Sequence, residues 1–334
     1  MKRSLYSAAA ILAVCAAVPA LAADYADLRP AYPNNWSSGT ENPLRIESGI
    51  RYWYSVGEQE HSIGSYTQKM ETKTSSGEAF VRIDDFSTST YVEATGGYGI
   101  AHEGTYSTNG GMDLDLPAAR LGYVGADFGW LPLATEQGGL GFVAGYQYTN
   151  DSPDTGRANF TTAQTANDIA WSDKTGVWSV GGDSKVNDFN IHALKLGLAG
   201  RFDAGGFDVT GEAAATPYAW VSGTAGSFSL PGQTATFRQA SAATINGFGY
   251  GASGKLMVGF HPTDNFTIRV GGRASYLTGQ YDATYDTARI TPPVQTTPGG
   301  DFSAPGLTKQ NYIINNNPFS MFRYGALVEV SGRF

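Results

Sequence analysis

The sequence predicts an all-β protein: an antiparallel transmembrane β-barrel of about ten strands, closed around a charged and largely plugged lumen. Three observations lead there. Charged residues are only 16% of the 334, and 43 Gly, 19 Tyr and 17 Phe take their place, whereas an average soluble domain is roughly 25% charged. No run of eighteen apolar residues follows the N-terminal leader, which leaves a closed barrel as the structure able to satisfy its backbone groups in lipid. Segments of roughly ten residues alternate apolar with polar or small side chains, and the connections between them are alternately short and long.

In the leader, Lys2 and Arg3 form a charged start, Ala8 to Val18 an apolar stretch of signal-peptide length, and Ala20-Leu21-Ala22 a small-x-small cleavage site, so residues 1–22 are expected to be a signal peptide. Cys15 lies within it, preceded by Val14 where a lipoprotein signal needs a small residue, and the mature chain is expected to hold no cysteine. Loss of Lys2 and Arg3 takes the formal charge from −8 to −10. An acidic chain offers no basic patch for counterion release, which excludes nucleic acid as a partner. Residues 23–43, rich in proline, are expected in the periplasm, ahead of a barrel over 44–334 with five long extracellular loops.

The first strand is Leu44 to Val56, with Ile46, Ile50, Tyr52, Tyr54 and Val56 on one face and Arg45, Glu47, Gly49, Arg51 and Trp53 on the other. The same period runs through 79–86, 90–100, 120–131, 139–149, 190–202, 207–221, 247–260, 266–277 and 321–334. It is clearest where Phe266, Ile268, Val270, Gly272, Ala274 and Tyr276 oppose Thr267, Arg269, Gly271, Arg273 and Ser275. Connections at 87–89, 132–138, 203–206 and 261–265 are short, and those at 57–78, 101–119, 150–189, 222–246 and 278–320 are long. Short turns on the periplasmic side and long loops outside put both termini in the periplasm. Trp130, Phe202, Phe207, Phe260, Phe266 and Phe334 then form an inner aromatic girdle, and Tyr54, Tyr98, Tyr148, Tyr250, Tyr276 and Tyr324 an outer one.

Inward positions collect both signs of charge. The bases are Arg45, Arg51, Arg82, Lys195, Arg201, Lys255, Arg269, Arg273, Arg323 and Arg333, and the acids are Glu47, Asp84, Glu93, Asp127, Asp208, Glu212 and Glu329. Barrels of about eight strands are filled by side chains, and only much larger ones hold an open channel. Since buried charges must be paired or wet, the set predicts a mostly plugged lumen, with a narrow charge-lined pore as the alternative. Arg269 is expected to meet Glu329 or Glu212. Gly249-Tyr250-Gly251-Ala252-Ser253-Gly254 fits a G-x-G-x-x-G pattern, but it continues as an alternating strand and opens no helix, so no nucleotide is expected. The four histidines show no metal-ligand spacing, and neither metal nor cofactor is expected.

The terminal segment, with Phe322, Tyr324, Val328, Val330 and Phe334 on one face, resembles the last strand of bacterial outer-membrane proteins, whose final aromatic residue is read by the barrel assembly machinery. The stretch from Ala23 to Pro33, followed by Trp36 and Arg51-Tyr52-Trp53-Tyr54, resembles outer-membrane β-barrel proteins of alphaproteobacteria. The ten strands and long loops are similar to the omptin barrel. Omptins are surface proteases with an Asp pair on one side of the rim and an Asp-His pair on the other. Asp113 and Asp115 stand in the second outside loop, where the first pair belongs, whereas the fourth, Ser222 to Asn246, holds neither His nor Asp. Without that base no water is activated, so no catalytic residue is assigned and Asp113 and Asp115 read as solvated loop acids. The expectation is a non-enzymatic outer-membrane protein serving envelope structure or adhesion. Its expected partners are outer-membrane lipid and lipopolysaccharide, the assembly machinery, and a host surface or peptidoglycan. A narrow porin and an omptin-like surface protease are the alternatives.

Overall fold

The computed structural model describes residues 44–334 apart from 117, 136, 155–168, 173, 175–176, 181–186, 227–236, 264, 292–293, 296 and 304–305; the expected signal peptide and the segment 23–43 lie outside the described residues. Ten long strands follow one another: β1 (Leu44–Ile63), β2 (Tyr66–Asp85), β3 (Thr90–Thr108), β4 (Ala118–Thr135), β5 (Gly138–Asp154), β6 (Asp188–Asp203), β7 (Phe207–Ala225), β8 (Ala243–Thr263), β9 (Phe266–Thr291) and β10 (Gly306–Arg333). Each pairs antiparallel with its sequence neighbours, and β10 pairs with both β9 and β1, so the ring closes. Phe334 completes the seam, its N–H donating to the Ile46 carbonyl at 2.9 Å.

The ring is staggered. Register partners starting at Arg45 run through Asp84, Tyr91, Gly129, Val143, Gly197, Ala214, Ser253, Ser275 and Arg323, and return to β1 at Gly57, twelve positions beyond the start (45 to 57). Such a shear tilts every strand against the barrel axis, and it decides which side chains from different strands share a level of the lumen.

Alternation holds across the membrane band. In β1, Ile46, Ile50, Tyr52 and Tyr54 are exposed while Glu47, Arg51 and Trp53 are buried. Trp130, Phe202, Phe207, Phe260, Phe266 and Phe334 stand exposed beside the inner turns, and Tyr54, Tyr98, Tyr250, Tyr276 and Tyr324 at the outer level. Tyr148 also faces outward, half-covered by the ring of His192 at 5.0 Å.

The outer ends differ from the expectation. The segment 57–78, expected as a loop, is strand except for a tight turn at Gly64, whose φ of 59° suits a residue without Cβ. Likewise β9 and β10 run far into 278–320 and stay paired out to Thr291 and Gly306. Above the membrane the outward face meets water, so apolar residues no longer mark it and the period that identified strands disappears. Two short segments join these outer regions, Leu114–Asp115 paired with β3 and Phe237–Gln239 paired with β9, and two more, Ile169–Ser172 and Val177–Val180, pair with each other. Register shifts interrupt several ladders; among them, Ile100 is left over between β2 and β3, and β7 slips around Pro217, which has no N–H to give.

Candidate functional site: the filled lumen

Every strand crosses with a two-residue period, so every second side chain points inward, and the stagger gathers the charged ones into layers. Arg269 of β9 is the hub of the inner layer. Its Nε and Nη2 donate to Asp208 at 3.0 and 2.8 Å, and its Nη1 donates to both Glu47 and Glu329. The expected partner Glu329 is there; Glu212 is not, because it faces Lys195 and Lys255 instead. Arg333 reaches Asp208 at 3.0 Å, and Arg51 joins Glu329 to Glu93, its Nη2 lying 2.9 Å from Glu93 with the guanidinium 3.8 Å over the Phe80 ring. Arg82 and Arg45 both donate to Asp84 at 2.9 Å. Lys195 holds Asp127 at 2.8 Å and Glu212 at 3.4 Å. Glu47, Glu93, Asp208 and Glu329 are all buried. The network is compensated acid by acid, which is the condition under which buried charge is tolerable.

One level out, Arg273 lies 3.7 Å over the Trp53 ring and donates to Glu78 at 2.6 Å, while the Tyr123 hydroxyl also donates to Glu78. Higher still, Arg323 crosses the lumen to Asp151 at 2.8 Å and borders the hydroxyls of Ser55, Thr72 and Thr74. Glu78 and Asp151 were hidden from sequence reading by the loop boundaries drawn at 57–78 and 150–189. Their signal was a phase match: Glu78 continues the inward series of Asp84 and Arg82.

Above the charges the filling becomes apolar. Ile63, Tyr66, Phe189, Ile191, Val221, Ile245, Tyr281, Tyr285 and Phe319 pack into one buried cluster drawn from β1, β2 and β6–β10. Tyr281 donates to the Ser62 carbonyl at 2.9 Å, and Asn317 accepts the Gly64 N–H at 2.8 Å, which tie the β1–β2 tip to β9 and β10. His61, expected in a loop, is buried in this cap against Phe189, ring centroids 5.2 Å apart. It lies seven positions beyond the outer-girdle residue Tyr54 (54 to 61), outside the lipid band, where burial lowers its pKa to about 4.

The remaining assignments fall outside the lumen. Phe322, Tyr324, Val328, Val330 and Phe334 point to the lipid face of β10. Asp113 and Asp115 are exposed, Asp115 in the short pairing with Thr105 of β3. The glycine-rich motif 249–254 is part of β8. Among the described residues no three His, Cys, Asp or Glu side chains form a metal-binding group.

No protein-family model and no curated relative matches the chain. Among solved structures, the outer membrane protease OmpT from Escherichia coli aligns with a TM-score of 0.55 at 10% identity, covering 89% of this chain and 99% of that one. The translocator domain of the autotransporter NalP from Neisseria meningitidis aligns at 0.32 and 14% identity, covering 95% and 98% of the two chains. The outer membrane protein OprG from Pseudomonas aeruginosa aligns at 0.31 and 10% identity, covering 87% and 95%. Together with the ring of strands, the OmpT alignment establishes the fold of this chain as a closed, antiparallel ten-stranded barrel of the outer-membrane kind.

Proposed function

We propose that this chain is a non-enzymatic, non-conducting protein of the bacterial outer membrane, whose long strands hold a rigid outer region at the cell surface for envelope structure or adhesion. The observation that carries this reading is the double filling of the lumen, a paired-charge layer in the membrane band and an apolar cap above it. An ion crossing the barrel would have to part Arg269 from three carboxylates and then open a hydrophobic core. Contact with the lipid and lipopolysaccharide of the outer leaflet is supported by the outward face of β4–β8. There Arg120 donates to Asn150 at 2.7 Å and to Asp188 at 3.2 Å, directly above Tyr146, Tyr148, His192 and Trp220. Phe334 at the inner rim supports the assembly machinery as a folding partner.

Single-channel recording of the folded mature protein in a planar bilayer tests the reading. A flat baseline at ±100 mV is expected, and steady openings would establish the narrow porin instead. The same preparation incubated with a mixture of quenched fluorescent peptides is expected to leave them intact. Cleavage abolished by Asp113→Asn would establish a surface protease.

A further inference from the structure

Most inward bases donate a hydrogen bond to a carboxylate, and two do not. Arg201 of β6 and Lys255 of β8 donate no hydrogen bond within the described residues, although their side chains are only 14% and 22% exposed. The carboxylate nearest Arg201 is Asp203 at 3.6 Å, on the edge of the inner turn, where it already accepts the Gly205 N–H. Lys255 stands 3.6 Å from Glu93 and 3.8 Å from Glu212. Both bases line the same chamber in the inner half of the lumen, about 50 Å³, with the hydroxyl-bearing Thr210, the register partner of Arg201, between their strands. That volume suits a few waters or one small anion. The other charges felt by Arg201 across the lumen are mostly positive, Arg45, Arg82 and Arg333 against Asp84 and Asp208. Five carboxylates also line the chamber, and each is already held: Glu47 and Glu329 by Arg269, Glu93 by Arg51 at 2.9 Å, and Asp127 and Glu212 by Lys195 at 2.8 and 3.4 Å.

A buried guanidinium with its donors unused costs free energy until something accepts them. We propose that this chamber, two positions in from the periplasmic end of β6, is a binding site for a small oxyanion, a carboxylate or a phosphate, taken from the periplasmic side by Arg201 and Lys255. A planar fork and an ammonium converging on one space match the geometry of such oxyanions. The chamber borders the charge hub, sharing Arg269, Glu47 and Glu329 with it.

The test uses the mature protein folded in lipid vesicles. Its thermal unfolding midpoint is followed against sodium phosphate, and separately against sodium acetate, with ionic strength held constant by sodium chloride. A midpoint that rises and saturates in the millimolar range is expected, because a ligand that binds only the folded state stabilises it. A stronger effect of phosphate assigns the site to phosphate groups, and an equal or stronger effect of acetate assigns it to carboxylates. Arg201→Gln is expected to raise the half-saturation at least tenfold, and Lys69→Gln, on the exposed face of the outer extension, to leave it unchanged. No saturable rise, or the same rise in Arg201→Gln, overturns the site. Broadening of the phosphate ³¹P resonance by the wild-type protein reads phosphate binding without any variant, and its absence together with no acetate-dependent rise would overturn the proposal.

Discussion

The membrane band and the outer extension are continuous in their strands and opposite in their chemistry. In the band, apolar residues such as Ile268, Val270 and Leu198 face out and the interior holds Arg269, Glu47, Asp208 and Glu329. Above it Glu58, Glu60, Lys69 and Lys73 stand on the outer surface, while Phe189, Ile245 and Tyr281 fill the inside. The same ladder is inverted because the solvent around it changes from lipid to water. Lipid gives an apolar interior no advantage over an apolar exterior, so the lumen is left to charge pairing and hydrogen bonds. Water restores the hydrophobic drive, and the extension is built like a small soluble barrel.

If that division is right, the largest loss should come from the charge hub. Arg269→Ile strands Glu47, Asp208 and Glu329 around one missing cation and is expected to destabilise the barrel by about 3–5 kcal/mol. Urea unfolding from vesicles measures it, and a change under 1 kcal/mol would mean the network does not hold the band together.

Its neighbour sharpens the contrast. Ile268→Arg puts a guanidinium into lipid at an expected cost of about 2–4 kcal/mol. The same unfolding experiment ranks the pair, and a larger loss for Ile268→Arg would place lipid exposure above ion pairing as the dominant constraint on β9.

Acid should separate the two regions. His61 is held neutral by burial, with a pKa of about 4 against an ordinary 6.5. The unfolded chain therefore binds the proton first, and the outer region's stability, fully present above pH 6.5, falls as pH drops toward 4 and is flat below it, by about 3 kcal/mol in all. Proteolysis of the outer strands between pH 7 and pH 4 reads the loss, with the band still heat-modifiable on gels. His61→Phe should remove most of the pH dependence, leaving the part due to His102, whose pKa burial also lowers, and an undiminished dependence in that variant would assign it elsewhere.

The smallest effect is expected at the surface. Arg120 and Asp188 form an exposed pair, so Arg120→Ala should change stability by less than about 0.5 kcal/mol. A larger loss in lipopolysaccharide-containing vesicles, but not in plain phospholipid, would reveal a headgroup contact.

The membrane-band strands and their facing were legible because lipid imposes a strict two-residue code: each of the ten segments lies on one of the ten observed strands, with only Phe86 and Phe334 one position past a strand end. Where the code stopped, so did the reading. Residues 57–78 looked like loop although β1 and β2 run through most of them, and Glu78 and His61 were missed for that reason. Arg269 was legible as an inward base but not as the meeting point of three acids, because Glu47 and Asp208 lie on strands remote in sequence from β9.

By itself the sequence determined the strand number in the membrane, which side chains face lipid, and that the lumen carries charges of both signs, since each follows from local alternation and composition. Only the tertiary structure decided which acid meets which base, that Arg201 and Lys255 donate no hydrogen bond among the described residues, and that an apolar cap closes the outer end. Those depend on a stagger of twelve positions around the ring, and a stagger exists only once the last strand has found the first.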